Sequence, residues 1–262
     1  MRPLTPAAIA VLMLSSMLAG CLGGNLENDF IYPDEVLYAS TNATIVEVWE
    51  DGAVVETIHP VLSFDFNESN APSPFLSYTV RGAFVDEAVD ASQTTVVDVE
   101  FKHHGFHTLE LIANYEDTPD ERGNESRHVN EIVVRIEKRI EWRESSTNEP
   151  IPMTLDTRRE SGDVPASVIV IESTLSNPEL INNIGGGQDV EVSWQLIDNT
   201  QEACQSQPGT VEEGGTATWK TVHFNTDEVH ELRVNYEEGQ DAIDVEQTIL
   251  IQYEHLEDAP NA

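Results

Sequence analysis

Three histidines crowd one short stretch of this 262-residue chain: His103, His104 and His107. Imidazole is a good zinc ligand, and His128 adds another nitrogen donor from a nearby segment. Against zinc, His103 and His104 fall in a predicted turn, where adjacent side chains diverge, and no complete ligand set is visible. Carboxylates offer a different chemistry. Asp65, Asn67 and Glu68 lie at a predicted strand end, Glu116, Asp117, Asp120 and Glu121 crowd one loop, and Glu237, Glu238, Asp241 and Asp244 crowd a corresponding later loop. Oxygen donors suit hard cations, so Asp65, Asn67, Glu68, Glu116, Asp117 and Asp120 are candidate ligands for calcium. No EF-hand spacing is present, and acid runs on exposed loops are commonly just solvated. Both readings stay open, and nothing else in the chain asks for a cofactor.

Catalysis finds little support. There is no Gly-x-Ser-x-Gly elbow, no His-Glu-x-x-His and no phosphate-binding glycine loop. Ile184-Gly185-Gly186-Gly187 precedes a predicted strand and reads as a turn. Asn42, Asn67 and Asn124 open Asn-x-Ser/Thr sequons and are candidate glycosylation sites, with chance occurrence as the rival reading. Trp49, Trp142, Trp194 and Trp219 could form a carbohydrate platform, but they lie on alternating strands, which favours core packing.

These residues sit in an extremely acidic chain: 13 Lys+Arg against 48 Asp+Glu give a formal charge of −35. Phosphates would be repelled and no basic stripe appears, so nucleic acid is excluded as a partner. The charge keeps the surface strongly solvated and is compatible with adaptation to salt. Two cysteines, Cys21 and Cys204, are too few for a disulfide framework, so hydrophobic cores must hold the fold. Cys204 lies in a polar stretch and is expected to be a free thiol.

Arg2, the apolar run Ala7 to Leu14 and the small residues that follow read as an export signal over 1–20, too short for a membrane span. It ends on Leu18-Ala19-Gly20-Cys21, which resembles the lipobox of prokaryotic lipoproteins, archaeal ones above all. The resemblance implies that the Cys21 thiol carries a lipid. It places the chain at the cell membrane, lipid-anchored and facing the exterior, with residues 21–33 as a tether.

Beyond the tether, period-2 segments recur between turn residues, and no amphipathic helix is seen. Thr44 to Trp49 and Ala53 to Ile58 flank Asp51-Gly52, a hairpin signal. Strands are predicted at Leu62 to Phe66, Tyr78 to Val80, Val97 to Phe101, Thr108 to Ala113 and Ile132 to Trp142. Ser145 to Asn148, followed by Pro150 and Pro152, reads as a linker over 144–152. A second run covers Ser167 to Ile171, Asp189 to Ile197, Thr216 to Phe224, Glu231 to Tyr236 and Val245 to Tyr253. The halves repeat: Phe101, His107, Leu109 and Leu111 correspond to Phe224, His230, Leu232 and Val234. The predicted class is all-β, two tandem antiparallel β-sandwiches over 34–143 and 153–256, with a tail at 257–262, and each half is expected to fold alone.

At Ser63 to Ser69, Ser77 to Val80, Phe101 to Leu111 and Val190 to Trp194 the chain resembles the PKD-type immunoglobulin-like sandwich. Both halves lack that family's Gly-Asp-Gly turn, and Val80 stands where its tryptophan usually sits. The resemblance implies a non-catalytic extracellular module for adhesion, spacing or protein contact, its partner an unidentified protein or surface polysaccharide. The rival reading is an accessory subunit of an extracellular enzyme or transporter, binding carbohydrate or a divalent cation.

Overall fold

The computed structural model describes residues 37–38, 43–71, 73–116, 127–179, 187–200, 202–237 and 241–258. The signal and tether, with Cys21, and the positions Asn42, Asp117, Asp120, Glu121, Asn124 and Glu238 lie outside them. The described residues form strands and no helix: β1 (Leu37–Tyr38), β2 (Thr44–Glu50), β3 (Ala53–Ile58), β4 (Val61–Asp65), β5 (Phe75–Gly82), β6 (Val85–Asp90), β7 (Val96–Glu100), β8 (Gly105–Tyr115) and β9 (Arg127–Thr147). There follow β10 (Met153–Asp156), β11 (Val168–Ser176), β12 (Val190–Ile197), β13 (Ala203–Val211), β14 (Thr216–His223), β15 (Val229–Tyr236) and β16 (Ile243–Gln252). No helix among the described residues is long and apolar enough to cross a membrane.

The chain is all-β and built as tandem sandwiches. In the first, the sheet β1-β4-β7 faces β6-β5-β8 and the first half of β9. In the second, β10-β15-β12-β13 faces a sheet of β14, β11, β16 and the second half of β9. Each core follows from alternation. Leu109 and Leu111 of β8 point inward with Phe64, Phe101 and Val80, while Ile169 and Ile171 of β11 meet Leu196, Leu232 and Ile249. The β2–β3 hairpin closes through Asp51 (φ 47°) and Gly52 (φ 81°), the left-handed pair that the Asp-Gly dipeptide favours.

The division between halves is not where the sequence placed it. β9 runs unbroken through 144–147, the start of the expected linker. It pairs with β8 from Arg127 to Ile136, then with β16 from Lys138 to Thr147. Over 137–143 its other edge takes β2 in parallel, so a hairpin from the first half joins the sheet of the second. The reason lies in side chains: Ile140, Trp142 and Glu144 continue the inward alternation and stay buried, which holds the backbone extended despite the polar sequence that follows. Val134 and Ile136 pack into the first core, and Ile140 and Trp142 into the second.

Four strands went unpredicted: β1, β6, β10 and β13. All lie at sheet edges. An edge strand has solvent on one side, so its alternation is weak; β13 even carries Pro208, which an edge tolerates because its N–H is not needed there.

Candidate functional site

The expected histidine trio is split by the fold. His103 is half-buried and stacks on Phe84, with ring centroids 4.4 Å apart. His104 is buried where the halves meet. Its Nδ1 lies 2.7 Å from the Tyr253 hydroxyl and its Nε2 lies 3.7 Å from Glu160. The carboxylate can only accept, so the ring proton belongs on Nε2 and the tyrosine donates to Nδ1. Burial pulls the His104 pKa down from 6.5 to about 4, against an opposing pull from Glu160. Burial, with Glu160 second, also pushes Tyr253 up, so the pair is neutral. Around it the Ser161 N–H donates to the His104 carbonyl and the Ser161 hydroxyl to the Phe106 carbonyl. Gly105 (φ 120°) makes this approach feasible, since a Cβ there would sit 2.2 Å from the Ser161 carbonyl oxygen. Phe106 belongs to the second core and meets Tyr253 edge-on at 5.5 Å. This junction is a packed, hydrogen-bonded seam.

Of the candidate calcium ligands, Asp65, Asn67 and Glu68 share one turn after β4. Asp65 Oδ1 accepts the Asn67 N–H at 2.9 Å and the Thr95 hydroxyl at 2.8 Å, and the Asn67 side chain donates to Glu68. This is an Asx turn whose carboxylate is engaged by its own loop and by Thr95, just before β7. Glu116 lies beyond β8, its N–H bonded to the Pro74 carbonyl. Asn67 is exposed, as a glycosylation acceptor must be.

Sequence reading missed a convergence in the second sandwich. Cys204, His223 and His230 bring one potential ligand atom each to within 4.8 Å of one another. They come from the start of β13, the end of β14 and the start of β15. Cys204 is exposed and unbridged, His223 half-buried and His230 fully buried. Because β13 and β14 are edges of opposite sheets, the three meet only where the sandwich closes. Gln205 holds those edges together, donating to the Val222 carbonyl and accepting from the Thr221 hydroxyl. Burial, then the nearby Asp198 and Glu228, hold the Cys204 thiol above its ordinary pKa. The spacings in sequence, 204, 223 and 230, match no compact motif. Only the repeat match of His230 to His107 offered a clue.

The repeat itself holds in part. His107 and His230 are both buried at strand starts, with Nε2 against a backbone carbonyl: His103 at 2.7 Å and Asn225 at 2.9 Å. Phe101 and Phe224 do not correspond in space: Phe101 is buried against His107, whereas Phe224 is 76% exposed. His223 takes the place beside His230, with ring centroids 4.8 Å apart.

The tryptophans pack in two pairs, Trp49 on Trp142 at 5.6 Å and Trp194 beside Trp219 at 6.4 Å, and none stands exposed. A cleft of about 620 Å³ does open on the outer face of the large sheet, lined by Val46, Ile58, Arg139, Val170 and Leu250 among others.

No protein-family description matches the chain, and no curated protein matches it. Among solved structures it is similar to carbohydrate-binding modules of the β-sandwich superfamily, at 6% identity and TM-score 0.29, over 81% of this chain and 94% of that one. It is also similar to the CBM51-2 and INT domains of Clostridium perfringens ZmpB, at 9% identity and TM-score 0.26, over 82% and 48%. Arthrobacter globiformis T6 isomalto-dextranase matches at 10% identity and TM-score 0.26, over 74% and 33%. Likeness at these scores carries nothing about ligand or activity.

Proposed function

We propose that the chain is a non-catalytic, lipid-anchored surface protein whose two sandwiches act as one stiff arm in adhesion, spacing or protein contact. The sharing of β9 between both cores carries this reading. A strand that pairs with β8 at one end and β16 at the other leaves no free hinge between the sandwiches. The seam at His104, Gly105 and Ser161 adds a second tie. Such an arm extends a contact surface away from a membrane at a fixed angle. The lipobox at Cys21 supplies the anchor, and the net charge of −35 keeps the arm off anionic headgroups. The partner is a protein or a surface polysaccharide.

Membrane fractionation of the Cys21→Ser variant tests the address, and crosslinking in native membranes tests the contact. The reading requires that the variant leaves the membrane pellet, loses lipid labelling and no longer captures the partners taken by the unaltered chain. Retention of the variant after a salt wash would refute the lipid anchor.

A further inference from the structure

We propose that Cys204, His223 and His230 bind a single zinc-class divalent cation, stapling the open edge of the second sandwich.

The geometry is that of a three-ligand site. Zinc holds thiolate sulfur at about 2.3 Å and imidazole nitrogen at about 2.0–2.1 Å, so its ligand atoms stand roughly 3.3–3.8 Å apart. The three donors here are already within 4.8 Å. Closing the remainder takes about 1 Å of side-chain rotation. Cys204, exposed at the start of an edge strand, has room to make it.

Hydrogen bonding decides which nitrogen of His230 is left free to bind. The Asn225 carbonyl can only accept, so His230 carries its proton on Nε2 and donates at 2.9 Å. That leaves Nδ1 as a lone pair, and it is buried without any partner. His223 Nε2 is likewise buried and unpartnered. A ring nitrogen bonded to a backbone carbonyl on its far side is the arrangement that orients a metal-binding histidine. Two buried ring nitrogens without partners beside one thiol are costly unless something joins them.

The first sandwich supplies an internal comparison. His107 occupies the equivalent place and makes the same Nε2 contact to a carbonyl. Its Nδ1, however, faces the Ser161 hydroxyl at 3.4 Å, and its neighbours are Phe101 at 5.0 Å and Phe84 at 6.4 Å. The first half also sets an imidazole, His103, near its histidine, but packs both against aromatic carbon, whereas the second half adds a thiol. A merely structural histidine does not need that addition.

Thiolate and imidazole favour zinc and its late transition-metal neighbours over calcium or magnesium. The fourth position falls to water or to Asp198, which lies beside Cys204 and lowers the cost of bringing in a dication. Binding displaces the thiol proton, so affinity rises with pH.

Cobalt(II) alone is the first probe, titrated into the metal-free full chain and into its Cys21→Ser form, with excess calcium present to occupy the acidic surface. The expected result is a thiolate-to-cobalt charge-transfer band saturating at one equivalent in both, bleached by zinc. One equivalent of zinc should also slow alkylation of Cys204, because a coordinated thiolate is no longer free to attack. Cys204→Ser and His223→Gln, both at positions that are not fully buried and each checked by its melting curve, should abolish the band. Failure of the band to appear in Cys21→Ser, or an alkylation rate unmoved by zinc, overturns the proposal. So does a band that survives His223→Gln.

Discussion

Ile136 and Ile140 lie on the same face of β9, four residues apart, and pack into different hydrophobic cores. Between them, on that same face, Lys138 reaches Glu47 of β2 at 2.8 Å. The ion pair marks the boundary at which one sandwich ends and the next begins. The two isoleucines are separated by about 13 Å of extended chain and belong to separate cores.

Ile136→Ala and Ile140→Ala should each cost about 2–5 kcal/mol, since both side chains are buried in close-packed surroundings. Because the cores are distinct, the losses should add in the double variant to within about 0.5 kcal/mol. Because the strand is shared, each single variant should shift one common unfolding transition. Denaturation followed by tryptophan fluorescence and by circular dichroism checks both points. Two resolved transitions in either variant would mean that β9 does not couple the halves.

Lys138 and Glu47 are 13% and 21% exposed at the side chain, between a surface pair and a buried one. Lys138→Met alone should therefore cost about 2 kcal/mol, between the surface value of below about 1 kcal/mol and the buried value of about 3–5 kcal/mol. Adding Glu47→Leu should recover most of that, because the stranded carboxylate is removed. A double-mutant cycle measures the coupling; a double variant as unstable as the sum of the singles would show the pair to be incidental.

His104 makes stability fall in mild acid. Its pKa is depressed by burial from 6.5 to about 4 in the folded chain, so the unfolded state takes up the proton first. The stabilisation is complete above pH 6.5 and is lost progressively as pH falls towards about 4, below which it is gone. Its size is on the order of 3 kcal/mol at 1.36 kcal/mol per unit. Acid also relieves repulsion among the carboxylates, which acts in the opposite sense. The measurement is therefore the difference between the unaltered chain and His104→Gln, by urea denaturation at several pH values. The variant should lose the component confined to that window. Parallel curves would assign no linkage to His104.

Fragments cut at the sequence-derived boundary should not fold as two free domains. A fragment over 152–255 lacks all of β9, leaving the edge of β16 bare and Ile140 and Trp142 missing from its core. It should show no cooperative melt. A fragment over 137–258 retains the second half of β9 and should melt cooperatively. If 152–255 folds with undiminished stability, the shared strand is dispensable.

The strand-rich class, the Asp51-Gly52 hairpin and most interior strands were legible in the sequence because they depend on local rules: alternation, turn chemistry and the absence of a 3.6-residue period. His107 and His230 were legible as counterparts because both begin a strand with the same inward pattern. What the sequence alone determined stops at pairwise neighbours along the chain. The edge strands β6 and β13 escaped because solvent on one side removes the pattern that reveals them. The linker was misread because serine and proline composition speaks to local stiffness, whereas the burial of Ile140, Trp142 and Glu144 is conferred by β2 and β16, far away in sequence. Phe224 looked like a core residue by its match to Phe101, and only packing shows it exposed, with His223 in the inner place. Cys204, His223 and His230 meet through the closing of two sheets along their edges. That juxtaposition is set by which faces pack together, and no spacing along the chain encodes it.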